Sequence, residues 1–171
     1  EMAQVQALCA DAAQGEVVSP ANYNGGGQIV IAGAKSAVGR AMALAKERGA
    51  KRALGLPVSA PFHCQLMRPA AERLQSVLSE IPVNPFTVGV VSNVEADVNL
   101  DAQHIKSLLV DQAVQPVRWE ESVKKLSALG CQRAVEIGPG KVLKGLIKRI
   151  AASMAVENFE TPQDLARLVG G

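Results

Sequence analysis

The sequence has 171 residues, 18 basic against 16 acidic for a net charge of +2, and 48% hydrophobic residues against 20% charged. That length suits one domain or two small ones, and the composition excludes a disordered chain. Aromatic residues are only 3%, so the core rests on Val, Leu, Ile and Ala, a base-stacking surface is excluded, and the balanced charge argues against nonspecific nucleic-acid binding.

Three scattered cysteines, Cys9, Cys64 and Cys131, form no Cys-x-x-Cys pair. They favour neither a disulfide framework nor a zinc site and suit reduced thiols in a cytoplasmic protein. No apolar run approaches the roughly 18 residues of a membrane span, so no membrane partner is expected. The chain opens on "EMAQVQALCADAA", without initiator Met or signal peptide, and reads as a piece cut from something longer.

In chain order, Met2, Val5, Leu8, Cys9 and Ala12 recur at helical spacing up to Gly15. "EVVSPANY" predicts a short strand stopped by Pro20, and "GGGQIVIAG" turns on glycine into a second. Ser36 to Arg48 predicts an amphipathic helix that Ser36 caps, and "KRALGLPV" predicts a third strand. This α-β-β-α-β order is a ferredoxin-like unit without its first strand, over residues 1–57.

From residue 58 the pattern changes. Leu66 to Ile81 predicts a long helix, followed by a strand at "FTVGVVSNV". Two helices follow, around Ile105–Leu109 and Val123–Leu129, then the strand "RAVEI", a Gly138-Pro139-Gly140 turn and the helix "KVLKGLIKRIA". Strands alternating with helices predict a parallel, layered α/β sheet over residues 58–171.

Only two histidines occur, and one of them, His63, stands where a Pro-rich turn meets a helix in "VSAPFHCQLM". Position alone leaves two readings: a base fixed by its neighbours, or a partly buried histidine bonded to a backbone carbonyl. His104 falls on the polar side of a helix start and is expected in solvent. No Gly-x-Ser-x-Gly elbow supplies a nucleophile, and Cys64, adjacent to His63, is not oriented to act as one. "EIGPGK" lacks Walker spacing and predicts only a tight turn into a helix. The polar "PANYNGGGQ" stretch serves either as turn residues or as a functional loop.

Four strings together, "VVSPANYNGGGQIVIAG", "AKRALGLPVSAPFHCQLMRPAAERL", "QAVQPVRWEESV" and "VEIGPGKVLKGLIKRI", resemble the malonyl-CoA:acyl carrier protein transacylases in order and spacing. The resemblance covers nearly the whole chain and implies the C-terminal part of an α/β-hydrolase-like catalytic domain with an incomplete ferredoxin-like small subdomain. It implies a ping-pong transfer of malonyl from coenzyme A to the thiol of acyl carrier protein, through a serine that this chain lacks, with no cofactor. The chain alone is then expected to be inactive.

By the same resemblance His63 is the catalytic histidine, and the backbone carbonyl of Gln112, 49 residues on, orients its ring. Asn22, Asn24 and Gln28 match a polar loop facing the cleft, here reading "GGQ" where the family more often has "PGQ". Lys51 and Arg52 match a basic pair suited to coenzyme A phosphates or carrier-protein acids, and Phe62 lies beside the acyl pocket. A polyketide synthase acyltransferase domain and a non-catalytic module that binds carrier protein or coenzyme A are the alternatives.

Overall fold

The computed structural model describes residues 2–164. Helix α1 (Met2–Ala13) ends where Gln14 and Gly15 both take positive φ. It lies on α2 (Lys35–Glu47), and Ala12 meets Ala37 and Ala41 in one buried cluster with Leu8, Cys9 and Val18. Alanines at the crossing let the two backbones approach closely. Arg40 reaches across to the open carbonyl end of α1, donating to Ala12 O and Ala13 O at 2.8 Å each, where a cation also complements the helix dipole. The sequence predicts Ser36 as the cap of α2, and the structure does not place it there. The cap position is Ala34, and the Ser36 hydroxyl donates instead to the Glu16 carboxylate at 2.6 Å.

Between these helices runs an antiparallel hairpin of β1 (Val18–Gly25) and β2 (Gln28–Gly33). Gly26 and Gly27, with φ of 62° and 78°, make the two-residue turn that needs positive φ at both positions. The φ at Gly26 is closed to proline, so "GGQ" makes a different turn from the one "PGQ" would make. Gly25 is needed for a second reason: a Cβ there would sit 2.5 Å from Ile150 Cγ1. Pro20 does not stop β1. The strand runs through it with a register shift between Pro20 and Asn22, and a bulge is where a sheet tolerates proline.

The third strand expected at 51–58 is absent. That segment is extended coil with Leu54, Leu56 and Val58 more than half exposed, and no neighbouring backbone pairs with it. The ferredoxin-like order therefore stops at α-β-β-α among the described residues.

A 3-10 turn (Gln65–Met67) leads into α3 (Arg68–Glu80), which carries Pro69 in its first turn, where the missing N–H costs nothing. Helix α3 packs on α4 (His104–Val114). The strand expected over 86–94 shrinks to β3 (Val90–Val91), paired with β4 (Val98–Asn99). Helix α5 (Trp119–Ala128) precedes β5 (Arg133–Ile137), α6 (Val142–Ile150) and β6 (Ala155–Phe159).

Strands β5 and β6 are parallel with α6 as their crossover, and Val123, Ile147 and Met154 form the core beneath them. The other side of β5 is uncovered, with Val135 43% and Ile137 78% exposed. The expected layered parallel sheet is thus present among the described residues only as this one pair. Parallel sheets are normally covered on both faces, so this pair is bare where such a sheet would continue. No described helix is long and apolar enough to cross a membrane.

Candidate active site

His63 occupies the loop between α2 and α3 with φ of 61°, in the left-handed region that a non-glycine residue enters at a cost of roughly 1–2 kcal/mol. Histidine is among the residue types that tolerate it better. Cys64, next in sequence, is 1% exposed and donates its thiol to Pro61 O at 3.1 Å. The buried thiol anchors the turn from below while the imidazole is left half-buried above it. Its inward direction also removes Cys64 as a nucleophile.

The ring of His63 lies with Nδ1 2.7 Å from the backbone oxygen of Gln112, in the last turn of α4. A carbonyl only accepts, so the neutral ring carries its proton on Nδ1 and presents the Nε2 lone pair outward. No described residue bonds Nε2.

Two readings stood open for His63 on position alone, a poised base or a carbonyl-bonded structural histidine. Both use this hydrogen bond. The strained backbone and the unengaged Nε2 are features a merely structural role does not need.

The stretch after Gln112 is fixed from several sides. Asn93 Nδ2 donates to Gln112 Oε1 at 2.7 Å, and Asn93 O accepts from Arg118 N at 2.9 Å. Val117 pairs with β1 through Tyr23 N to Val117 O and Val117 N to Ala21 O, both 2.8 Å. Arg118 holds Glu121, Val94 O and Glu95 O, and its hydrogen bond keeps the Glu121 carboxyl below the usual carboxylate range. Asn93 and Arg118 are not among the site residues expected from sequence; Arg118 lies in "QAVQPVRWEESV", while Asn93 lies outside all four strings that carry the resemblance. Asn93 meets the Gln112 side chain 19 residues on, and Arg118 reaches Val94 O and Glu95 O more than 20 residues back, so no local spacing marks these contacts.

The other expected site residues are placed separately. Asn22 and Asn24 are half-buried on β1, and Asn22 bridges Val117. Gln28 is exposed beyond the hairpin turn and accepts from Arg149 Nη2 at 2.9 Å. Lys51 and Arg52 are exposed on the coil after α2 and form no ion pair among the described residues, and Phe62 is 52% exposed. His104 is not merely in solvent: Nε2 pairs with Glu95 Oε1 at 2.9 Å and Ser107 Oγ lies 3.3 Å from Nδ1.

At "EIGPGK" the amide end of α6 is already taken. Glu136 accepts from Leu143 N and Lys144 N at 2.9 Å each, so its own carboxylate occupies the place a phosphate would take. Among the described residues no cluster of His, Cys, Asp or Glu is arranged to hold a metal.

The acyl transferase domain family matches residues 1–170. The chain belongs to this family. It is 47% identical over 164 residues to the malonyl CoA-acyl carrier protein transacylase of Escherichia coli K12, covering 96% of this chain and 53% of that protein. A crystal structure of an acyl carrier protein S-malonyltransferase from Vibrio cholerae superposes with a TM-score of 0.93 at 48% identity, over 98% of this chain and 55% of the other. Another similar structure is a malonyl-transacylase in complex with its type II PKS acyl-carrier protein, with a TM-score of 0.91 at 43% identity. It covers 98% of this acyl transferase chain and 54% of that one. The chain thus spans about half the length of the relatives it matches.

Proposed function

We propose that the chain is the histidine-bearing part of an S-malonyltransferase that moves malonyl from coenzyme A to the phosphopantetheine thiol of acyl carrier protein, in cytoplasmic fatty acid synthesis and without a cofactor. One observation carries this reading: His63 Nδ1 is held by the Gln112 carbonyl at 2.7 Å in a chain of the acyl transferase family. In this reading Nε2 takes the proton of a serine hydroxyl as that oxygen attacks the malonyl thioester carbon. The same nitrogen returns the proton to the departing coenzyme A thiolate. The second half-reaction repeats the exchange with the carrier-protein thiol as attacking group and the serine as leaving group. A neutral carbonyl sets the ring's tautomer without adding a carboxylate's charge.

The serine would come from the part of the family's length that this chain does not span. Residues 1–57 would then form an incomplete part of a ferredoxin-like small subdomain, and 58–171 part of an α/β-hydrolase-like catalytic domain. Asn22, Asn24 and Gln28 would line the cleft, while Lys51 and Arg52, exposed and unpaired, would meet phosphates or an acidic carrier protein. A polyketide carrier protein is the second reading, favoured by the relative solved with one.

The test is transfer of labelled malonyl from malonyl-CoA to carrier protein, by the 171-residue chain and by the same chain joined to the rest of the family's length. Turnover is expected only from the joined polypeptide. Turnover by the chain alone would place the nucleophile elsewhere, and inactivity of the folded joined form would remove the assignment.

Phe62 makes the acyl group testable. Its exposed ring precedes His63, and bulk there would leave no room for an α-methyl substituent. A single methyl is worth about 1–3 kcal/mol, so Phe62→Ser is expected to reduce the preference for malonyl-CoA over methylmalonyl-CoA by roughly 10- to 200-fold. Competition between the two thioesters on the joined polypeptide measures it. An unchanged ratio would remove the steric account.

A further inference from the structure

We propose that Pro116 is a positioning residue for His63: by lacking an N–H, it leaves the Gln112 carbonyl open to the imidazole and thereby sets which ring nitrogen is the base. As a statement about catalysis this rests on the reading above; as a statement about the ring it does not.

In an α-helix the carbonyl of residue i accepts from the N–H of residue i+4. For Gln112 that position is 116, and proline has no N–H to give. Its neighbours behave differently. Asp111 O receives Gln115 N at 2.9 Å, an ordinary last helical bond. Val117 N and Arg118 N, which would serve Ala113 and Val114, are drawn away to Ala21 O at 2.8 Å and Asn93 O at 2.9 Å. Gln112 is therefore the position in this turn whose donor is removed by residue type.

Pro116 acts a second way. Its ring disfavours helical backbone in the residue before it, and Gln115 has φ of −115° and ψ of 155°. The helix stops one residue short of burying the Gln112 carbonyl in a further turn. Asn93 then fixes the Gln112 side chain, and the left-handed backbone of His63 brings Nδ1 to the exposed oxygen. An alanine at 116 would supply an N–H and permit one more helical residue. The carbonyl would then have a competing donor, and the ring would lose what holds its proton on Nδ1.

The tautomer can be read without substrate, by two-bond ¹H–¹⁵N correlation of the imidazoles in the 171-residue chain at a pH where both rings are neutral. Only two histidines contribute, and a His104→Ala sample assigns them. Wild-type His63 is expected in the Nδ1–H form. Pro116→Ala should shift its ratio of Nδ1–H to Nε2–H forms about tenfold toward Nε2–H, the size of one net hydrogen bond, with His104 unmoved. Pro116→Gly also restores the N–H but favours helix extension less than alanine does, so its shift should run in the same direction and be no larger.

A wild-type ring in the Nε2–H form overturns the proposal, as does an unshifted His63 in a Pro116→Ala protein with wild-type circular dichroism. A larger shift in the glycine variant than in the alanine variant also overturns it. If Pro116→Ala does not fold, the wild-type tautomer and the glycine variant decide: an Nε2–H wild type or an unshifted glycine variant overturns the proposal, and the opposite pair supports it. A failed transfer assay with the expected tautomers would fault the enzymatic reading and leave this one standing.

Discussion

His63→Ala is expected to lower kcat/KM for malonyl loading by the joined polypeptide about 10²- to 10⁴-fold, the usual range for loss of a general base. His104→Ala should change it by less than about twofold, as for most exposed side chains. The two histidines are contrasted by what their nitrogens do. His104 has both ring nitrogens near surface partners, Glu95 and Ser107, and an exposed pair of that kind contributes about 0–1 kcal/mol. His63 spends one nitrogen on a helix-end carbonyl and keeps the other open.

If His63 were only structural, alanine would remove one net hydrogen bond, about 0.5–1.5 kcal/mol, and activity would follow the folded fraction. His63→Gly separates the two effects, because glycine adopts the φ of 61° without strain. It should restore stability lost in the alanine variant and restore no activity. Equal losses for His63→Ala and His104→Ala, or recovery of turnover in His63→Gly, would exclude the assignment.

The helices were legible because their signal is local. Leu8, Cys9 and Ala12 mark the buried stripe of α1 from spacing alone, and Gly15 marks its end. Strands were less legible because a strand exists only where another backbone pairs with it. "KRALGLPV" has the residue types of a strand but no partner among the described residues, whereas β1 continues through Pro20 because β2 and Val117 both pair with it. The same reason misplaces Ser36, a good capping residue whose hydroxyl is drawn to Glu16 on another segment. The histidine could be singled out by rarity and by its Pro-rich setting. The oxygen it meets is a backbone atom 49 residues away, without a side-chain signature, and only the family resemblance pointed to Gln112. What the sequence does carry is the reason that oxygen is open, in the proline four residues later.

The "EIGPGK" turn carries the largest expected effect on stability. Glu136, 9% exposed near the C-terminal end of β5, accepts from Leu143 N, Lys144 N and Asn158 Nδ2, each at 2.9 Å. One carboxylate thus joins β5, the start of α6 and β6. Burial by itself would raise its pKa, but the two amides, Asn158 and the charge of Lys144 outweigh burial and hold it below the ordinary value of 4.5.

Glu136→Ala leaves those three donors without their charged acceptor and is expected to cost about 2–4 kcal/mol. For a chain of this size that is a Tm lower by roughly 5–15 °C. Glu136→Gln keeps the shape and one acceptor oxygen, so it should lose less. Because the folded-state pKa is lowered, the ionised carboxylate's stabilisation is fully present above the unfolded value near 4.5 and is lost as pH falls through the folded value. The Tm gap between wild type and Glu136→Gln should therefore be constant near neutrality and narrow as pH drops below about 4.5. Thermal melts of the three proteins across that range check both parts. Equal melting temperatures at neutral pH would deny Glu136 its capping role, and a gap that widened in acid would reverse the sign of the linkage.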